Sequence, residues 1–158
     1  YSYGHRNPQG LFYDKKRDVL FSIEHGPRGG DEINIIEKGK NYGWPVISYG
    51  KEYWNSSSVG EGTFKEGMEQ PIKVYIPSIA PSSIIVYQGE RLKTLKGKLL
   101  STALKLQHLN IITLDKNLKV IKEHRVLEEL QERLRNVIQT PFETILISTD
   151  SGKILEVK

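Results

Sequence analysis

Apolar residues in this chain come in short runs closed by Gly, Pro, Asp or Asn: DVLFSIEH, EINIIEK, IKVYIP, SSIIVYQGE, GKLLSTAL, HLNIITLD, LKVIKEHRVL, RNVIQTP, ETILISTD and GKILEVK. Runs of this length, rich in Ile, Val, Leu and Tyr, predict many short strands. Three stretches share one grammar of apolar strand, Asp-led turn and apolar strand: FYDKKRDVLFSIEHG, ITLDKNLKVIKEH and ISTDSGKILEVK. They predict hairpins at Asp14, Asp115 and Asp150, each carboxylate bonding to its own turn's backbone. Recurring antiparallel units make the chain all-β and suggest a β-propeller. A sandwich would give similar strands.

Two segments break the pattern. In EHRVLEELQERLRNV, Val126, Leu127, Leu130 and Leu134 fall at helical spacing among good helix formers. One short helix or helical turn is expected around Glu128 to Arg133, with strand on either side. The stretch KEYWNSSSVGEGTFKEGMEQ, residues 51–70, is poor in apolar residues and rich in Gly and Ser. It reads as a long loop, and long loops in compact domains are commonly functional.

With 158 residues, 37% of them hydrophobic, the chain can fill a core as one domain or part of a larger one. A net charge of +4 mildly favours anionic partners. The basic residues are scattered rather than blocked with aromatics, which argues against a nucleic-acid surface. Zero cysteines excludes disulfides, thiolate metal sites and cysteine nucleophiles. No apolar run approaches the roughly 18 residues of a membrane span. The chain opens on Tyr1, and an N-terminus with any targeting signal is expected to lie upstream.

Candidate chemistry sits in clusters. In HGPRGGDEIN, Gly26, Gly29 and Gly30 with Pro27 forbid regular structure and let backbone groups approach a ligand. Asp31 and Glu32 beside such carbonyls suit a hard cation, although the spacing is not that of an EF-hand. The plainer alternative is a glycine turn with a solvated acidic pair. Arg6 and Asn7 precede Pro8, so the backbone is expected to be extended with both side chains on one side of a strand end. An Arg there grips a carboxylate, or forms a structural ion pair. Arg133 and Arg135 stand two apart and on a strand would share a face. Two parallel guanidinium groups need an anion between them or carboxylates beside them. A solvated helical face is the competing account. His5, His25, His108 and His124 show neither HxxxH spacing nor a nucleophile elbow, and are read as structural or surface residues. Trp44, Trp54, Tyr42, Tyr49 and Tyr53 concentrate beside the long loop, as core packing and turn bracing, with sugar stacking a lesser alternative.

Taken in order, YSYGHRNPQGL, EHGPRGGDEINIIEKGKNYGWPVISYG, PSIAPSS and ERLRNV resemble the C-terminal half of the soluble quinoprotein sugar dehydrogenases, which depend on pyrroloquinoline quinone (PQQ). The likeness runs from Tyr1 to Lys158. It implies a six-bladed β-propeller, with about three blades here, so that residues 1–158 form the C-terminal half of one propeller domain. It implies a tricarboxylate ortho-quinone cofactor and a Ca2+ held partly by main-chain oxygens of Gly26 and Pro27, which polarises the quinone. Arg6 and Asn7 match the pair beside the quinone, and Arg133 and Arg135 the arginines that hold its carboxylates. Lys105 matches a lysine with a similar ionic role. Tyr53 and residues 78–81 correspond to the cofactor surround. Glu32 and Tyr42 resemble ligands of a further, structural Ca2+, Tyr42 through its carbonyl. The implied reaction oxidises the anomeric C1 hydroxyl of an aldose to a lactone by hydride transfer to the quinone, with an external electron acceptor, in the periplasm or outside the cell.

The family's general-base histidine lies in its N-terminal half, in an HxGGR-type context that none of the four histidines here has. The chain alone is therefore expected to be inactive, and its open sheet edges to need a missing half, a second chain or self-association. The alternative from another class is an inert propeller that serves as a protein-binding or structural module. Retention of Arg6, Asn7, Gly26, Pro27, Arg133 and Arg135 together argues against it.

Overall fold

Every apolar run forms a strand, because Ile, Val, Leu and Phe side chains on a pleated backbone are buried between sheets. The computed structural model describes residues 1–158, with eleven strands in three antiparallel sheets and one short 3-10 helix. The chain divides into two compact units, Tyr1–Ile79 and Ala80–Lys158.

The first unit holds one sheet in the order β1 (Pro8–Asp14), β2 (Val19–Glu24), β3 (Asp31–Ile36) and β4 (Lys73–Tyr75). Phe21, Ile23 and Ile33 are fully buried. At the β1–β2 turn the Asp14 carboxylate accepts from Lys16 N (3.1 Å). On edge strand β1, Leu11 and Tyr13 point outward. Between β3 and β4 the chain makes the long excursion expected from composition. Isolated bridges (Arg28 to Lys51, Lys51 to Ser58, Ile47 to Gly62) pin it, and Ile47 and Val59 are buried beneath it.

The second unit holds two sheets. One runs β5 (Pro81–Val86), β6 (Leu99–Ala103), β7 (Leu109–Leu114) and β8 (Val120–Val126); the other runs β11 (Ile154–Val157), β10 (Ile145–Thr149) and β9 (Leu134–Gln139). Every residue of β5 is buried. It meets β9 through hydroxyls as well as apolar groups: Ser82 Oγ donates to Leu134 O (2.7 Å) and Ser83 Oγ to Asn136 Oδ1 (2.6 Å). At the β7–β8 turn Asp115 Oδ1 accepts from Asn117 N (2.8 Å) and Lys119 N (2.9 Å), as the sequence predicts.

The helical turn forms with strand on either side, as expected, but as one 3-10 turn, Glu128–Leu130, with no buried residue; it is shorter than the span to Arg133 because β8 continues to Val126 and β9 begins at Leu134. Of the helically spaced residues only Leu134 is buried, and it is buried as a strand residue. Asp150 sits at the β10–β11 turn, but it is Thr149 Oγ1 that accepts from Lys153 N (3.1 Å), because the Asp150 carboxylate is bound elsewhere.

Candidate functional site

In the first unit, a buried carboxylate organises the chain just before β1. Pro8 pairs with Glu24 but has no N–H to donate, so the regular ladder stops there. Asn7 O still accepts from His25 N (3.0 Å). The Glu24 side chain, only 4% exposed, then collects the remaining donors. Its Oε2 accepts from Arg6 N (2.8 Å) and Asn7 N (3.4 Å), while Oε1 accepts from Asn34 Nδ2 (3.0 Å) and lies 3.3 Å from His5 Nδ1. His5 stacks on Tyr42, ring centroids 4.6 Å apart. The Arg6 guanidinium donates to His25 O (3.1 Å) and lies over the Trp44 ring at 5.3 Å, while its Nε is buried without a partner. Asn7 is exposed, and its amide oxygen accepts from Gln9 Nε2 (2.8 Å). Arg6 and Asn7 thus have separate partners.

The glycine loop after β2 is tight for steric reasons. A Cβ on Gly26 would fall 2.2 Å from Gly30 O and 2.5 Å from Gly29 O. Gly30, at φ +73°, packs so closely on the 49–50 backbone that a Cβ would lie 2.7 Å from Gly50 N. Buried Asp31 ties the loop, its Oδ1 accepting from Gly26 N (3.0 Å) and from the Ser78 hydroxyl (3.0 Å), which itself accepts from Gly29 N (3.0 Å). Asp31 is therefore no solvated acid.

Arg6, Glu24, Gly26, Pro27, Glu32 and Tyr42 line one cleft. Glu32 and Tyr42 also border a smaller cleft with Glu69. Burial pushes the Glu32 carboxyl up to about 7; the Asn34 amide (3.3 Å) opposes this, and the charges of Glu24 and Asp31 add to it. Tyr42 braces the turn that precedes it, its hydroxyl donating to Ile35 O (2.5 Å) and accepting from Glu37 N (2.9 Å). No group of three or more His, Asp or Glu side chains is arranged to hold a metal ion, so a cation here would draw on main-chain oxygens as well as Glu32. Tyr53 and Trp54 are exposed on the long excursion.

In the second unit, Arg133 and Arg135 do share a face, and the anion between them is Asp150. Arg133 Nε donates to Oδ2 (2.8 Å), Arg135 Nε to Oδ1 (2.8 Å) and Arg135 Nη2 to Oδ2 (2.9 Å). Hydrogen bonds from Arg135 and then Arg133 hold the Asp150 carboxyl down to about 2. Both arginine side chains remain half exposed. Arg133 Nη1 lies 3.5 Å from Leu104 O, next to the exposed Lys105 in the β6–β7 turn. That turn ends on His108, fully buried, with Nδ1 3.0 Å from Leu106 O and Nε2 without a partner; burial pulls its pKa below the ordinary value.

The structure thus brings Arg6, Gly26, Pro27, Glu32 and Tyr42 to one cleft, and Arg133 and Arg135 to one ion cluster. Asn7 and Tyr53 do not line that cleft. Sequence reasoning overlooked Glu24 and gave Asp150 a turn role only. A buried Glu at a strand end facing a proline was the signal for the first, and an Asp opposite an Arg-x-Arg strand for the second.

Known proteins resemble this chain along its whole length. Residues 1–156 match the family model described as glucose/sorbosone dehydrogenase. Aldose sugar dehydrogenase YliI of Escherichia coli is 37% identical over 99% of this chain and 43% of its own length. A solved glucose dehydrogenase superposes with a TM-score of 0.95 at 39% identity, covering 100% of this chain and 46% of the other. The PQQ-bound aldose sugar dehydrogenase of Streptomyces coelicolor gives a TM-score of 0.73 at 28% identity, over 99% and 44%. The chain therefore spans somewhat under half the length of these relatives.

Proposed function

Since the chain belongs to the glucose/sorbosone dehydrogenase family, its three sheets being blades of that family's β-propeller, we propose that it is the C-terminal portion of a PQQ- and Ca2+-dependent sugar dehydrogenase. The activity proposed is oxidation of the anomeric C1 hydroxyl of an aldose to the lactone, with electrons passed to an external acceptor. The observation that carries this is the first unit's cleft, which gathers Arg6, Gly26, Pro27, Glu32 and Tyr42.

The residues present fit the groups proposed. The donor set is all oxygen and cationic nitrogen, as a hard cation and a polycarboxylate require. Arg6 Nε is a buried donor with no partner, and the Gly26 cradle admits no side chain. Gly26 and Pro27 would offer main-chain oxygens to one Ca2+, and Glu32 with the Tyr42 carbonyl would hold another. Arg6, Asn7 and Tyr53 in the first unit, and Lys105, Arg133 and Arg135 in the second, are the residues proposed to bind the cofactor. When bound, the quinone supplies the hydride-accepting chemistry that no side chain here possesses. The protein's part is electrostatic: a guanidinium held in place favours negative charge beside it without reorganising. Arg6 is suited to this, being held by His25 O and Trp44 rather than by a neutralising carboxylate.

The general-base histidine is proposed to come from the remainder of the propeller, so the chain alone should not turn over. No helix is long and apolar enough to cross a membrane, and a periplasmic or extracellular site of action is proposed. Dye-linked oxidation of an aldose panel, with Ca2+ and PQQ added to the protein carrying the rest of the propeller, is the test. Dye reduction supports the reading; none with any aldose rejects it.

One observation favours a second reading, an inert propeller acting as a binding or structural module. Asp150 already gives Arg133 and Arg135 the carboxylate they need. A module of that kind would show no Ca2+-dependent quinone binding.

A further inference from the structure

The backbone ahead of β1 holds its shape although the strand ladder stops at Pro8. This segment, residues 5–7, has lost its ladder partner at Pro8 and carries the exposed Asn7. Yet Arg6 N, Asn7 N and His5 Nδ1 all converge on one carboxylate, that of Glu24, which also takes the Asn34 amide. A buried carboxylate surrounded by four donors is far more than a solvated surface acid. Glu24 stands one residue from His25, whose carbonyl anchors the Arg6 guanidinium, so the end of β2 controls both the backbone and the side chain of Arg6.

We infer that Glu24 is a positioning residue: its buried carboxylate substitutes for the ladder bonds that Pro8 cannot make and fixes the 5–7 peptide so that Arg6 and Asn7 are presented to the polyanionic cofactor. The part concerning the cofactor rests on the proposed function; the part concerning the peptide does not. Glu24 need not touch the cofactor. A like-charged carboxylate beside a carboxylate-bearing ligand would otherwise disfavour binding, and here its four donors satisfy it and leave the Arg6 guanidinium unneutralised.

The test uses two readouts on the wild-type protein, Glu24→Ala, Arg6→Ala and the double variant. Amide hydrogen exchange at Arg6 and Asn7 reports the peptide without any cofactor. Titration with PQQ in the presence of Ca2+, followed by quinone absorbance, reports presentation. In Glu24→Ala, protection at Arg6 and Asn7 should vanish while that of Phe21 and Ile33 stays. PQQ affinity should fall about tenfold or more, the scale of hydrogen bonds to a charged group. The double variant should lose less than the sum of the two single losses, because the Arg6 contact is shared between them. Unchanged protection, unchanged affinity, or additive losses would each overturn the inference. Should Glu24→Ala fail to fold, Glu24→Gln carries the same test. It keeps the shape but has one acceptor oxygen in place of two, so protection and affinity should fall together, and a fall in only one overturns the inference. If the wild type binds no PQQ, the functional reading fails, and hydrogen exchange alone decides the role of Glu24.

Discussion

Arg135 and Asp150 form a two-pronged ion pair, Nε to Oδ1 at 2.8 Å and Nη2 to Oδ2 at 2.9 Å, and Arg133 completes it from the other side at 2.8 Å. The aspartate thereby cancels one of two neighbouring positive charges and leaves the cluster with a net charge of about +1, enough to attract an acidic group without mutual repulsion of the arginines.

The depressed Asp150 pKa fixes the pH range in which the cluster stabilises the fold. The folded value, about 2, lies below the ordinary 3.8. The contribution is therefore complete above the ordinary value and disappears as pH falls toward the folded one. The melting temperature of Asp150→Asn should lie below wild type at pH 5, and the gap should close toward pH 2, both about these settings. A gap independent of pH contradicts the ion-pair account. High salt should narrow the gap, because the groups are partly exposed.

Glu32 has the opposite sign. Its folded pKa, about 7, lies above the ordinary 4.5. The fold therefore holds a proton that the unfolded chain has released, and stability declines as pH rises between those values. Without metal, Glu32→Gln should raise the melting temperature more at about pH 8 than at about pH 5. Added Ca2+ should stabilise wild type at the higher pH and leave Glu32→Gln less affected. Equal Ca2+ shifts in both proteins would remove Glu32 from any cation site.

His108 should also make stability pH-dependent. Burial lowers its pKa from the ordinary 6.5, so the neutral ring belongs to the fold and the unfolded chain takes up the proton first. Stability should fall as pH drops below that ordinary value. In denaturant titrations His108→Gln should lose less stability than wild type between about pH 7.5 and 5. Parallel losses would show that the ring is charged in the fold.

Gly26→Ala should destabilise the first unit by about 1–3 kcal/mol, as overpacking against backbone does. The added carbon would meet Gly30 O at 2.2 Å, and neither strand end can yield. Gly39→Ala is the control, since nothing lies within 4 Å of its Cβ position, although its φ of +80° carries a strain of its own. A Gly26→Ala protein no less stable than Gly39→Ala would mean that the loop is looser than described.

Much of this was legible in the sequence, because strand periodicity and Asp-led turns are local signals. All of the apolar runs became strands, and the Asp14 and Asp115 turns formed as read. The helical turn at Glu128 formed but stayed shorter than its spacing suggests, which shows where locality fails. Helical spacing of Val126, Leu127, Leu130 and Leu134 lost to the pairing of β8 with β7 and of β9 with β10. One further repeat went unread. Asn-Ile/Val-Ile occurs at Asn34, Asn110 and Asn136, and each Asn faces a Ser across the sheet: Ser22, Ser101 and Ser148. The cleft residues were picked out by residue type and by motif. The side-chain network of Glu24, whose partners lie 10 to 19 residues away, could only be read in three dimensions.

Calorimetric titration of PQQ into the protein, with Ca2+ present and then removed by chelator, tests the central claim most directly. Saturable binding that requires Ca2+ and is weakened at least about tenfold in Arg6→Ala is the predicted result. No heat of binding with Ca2+ present, or binding indifferent to both Ca2+ and Arg6, would contradict it.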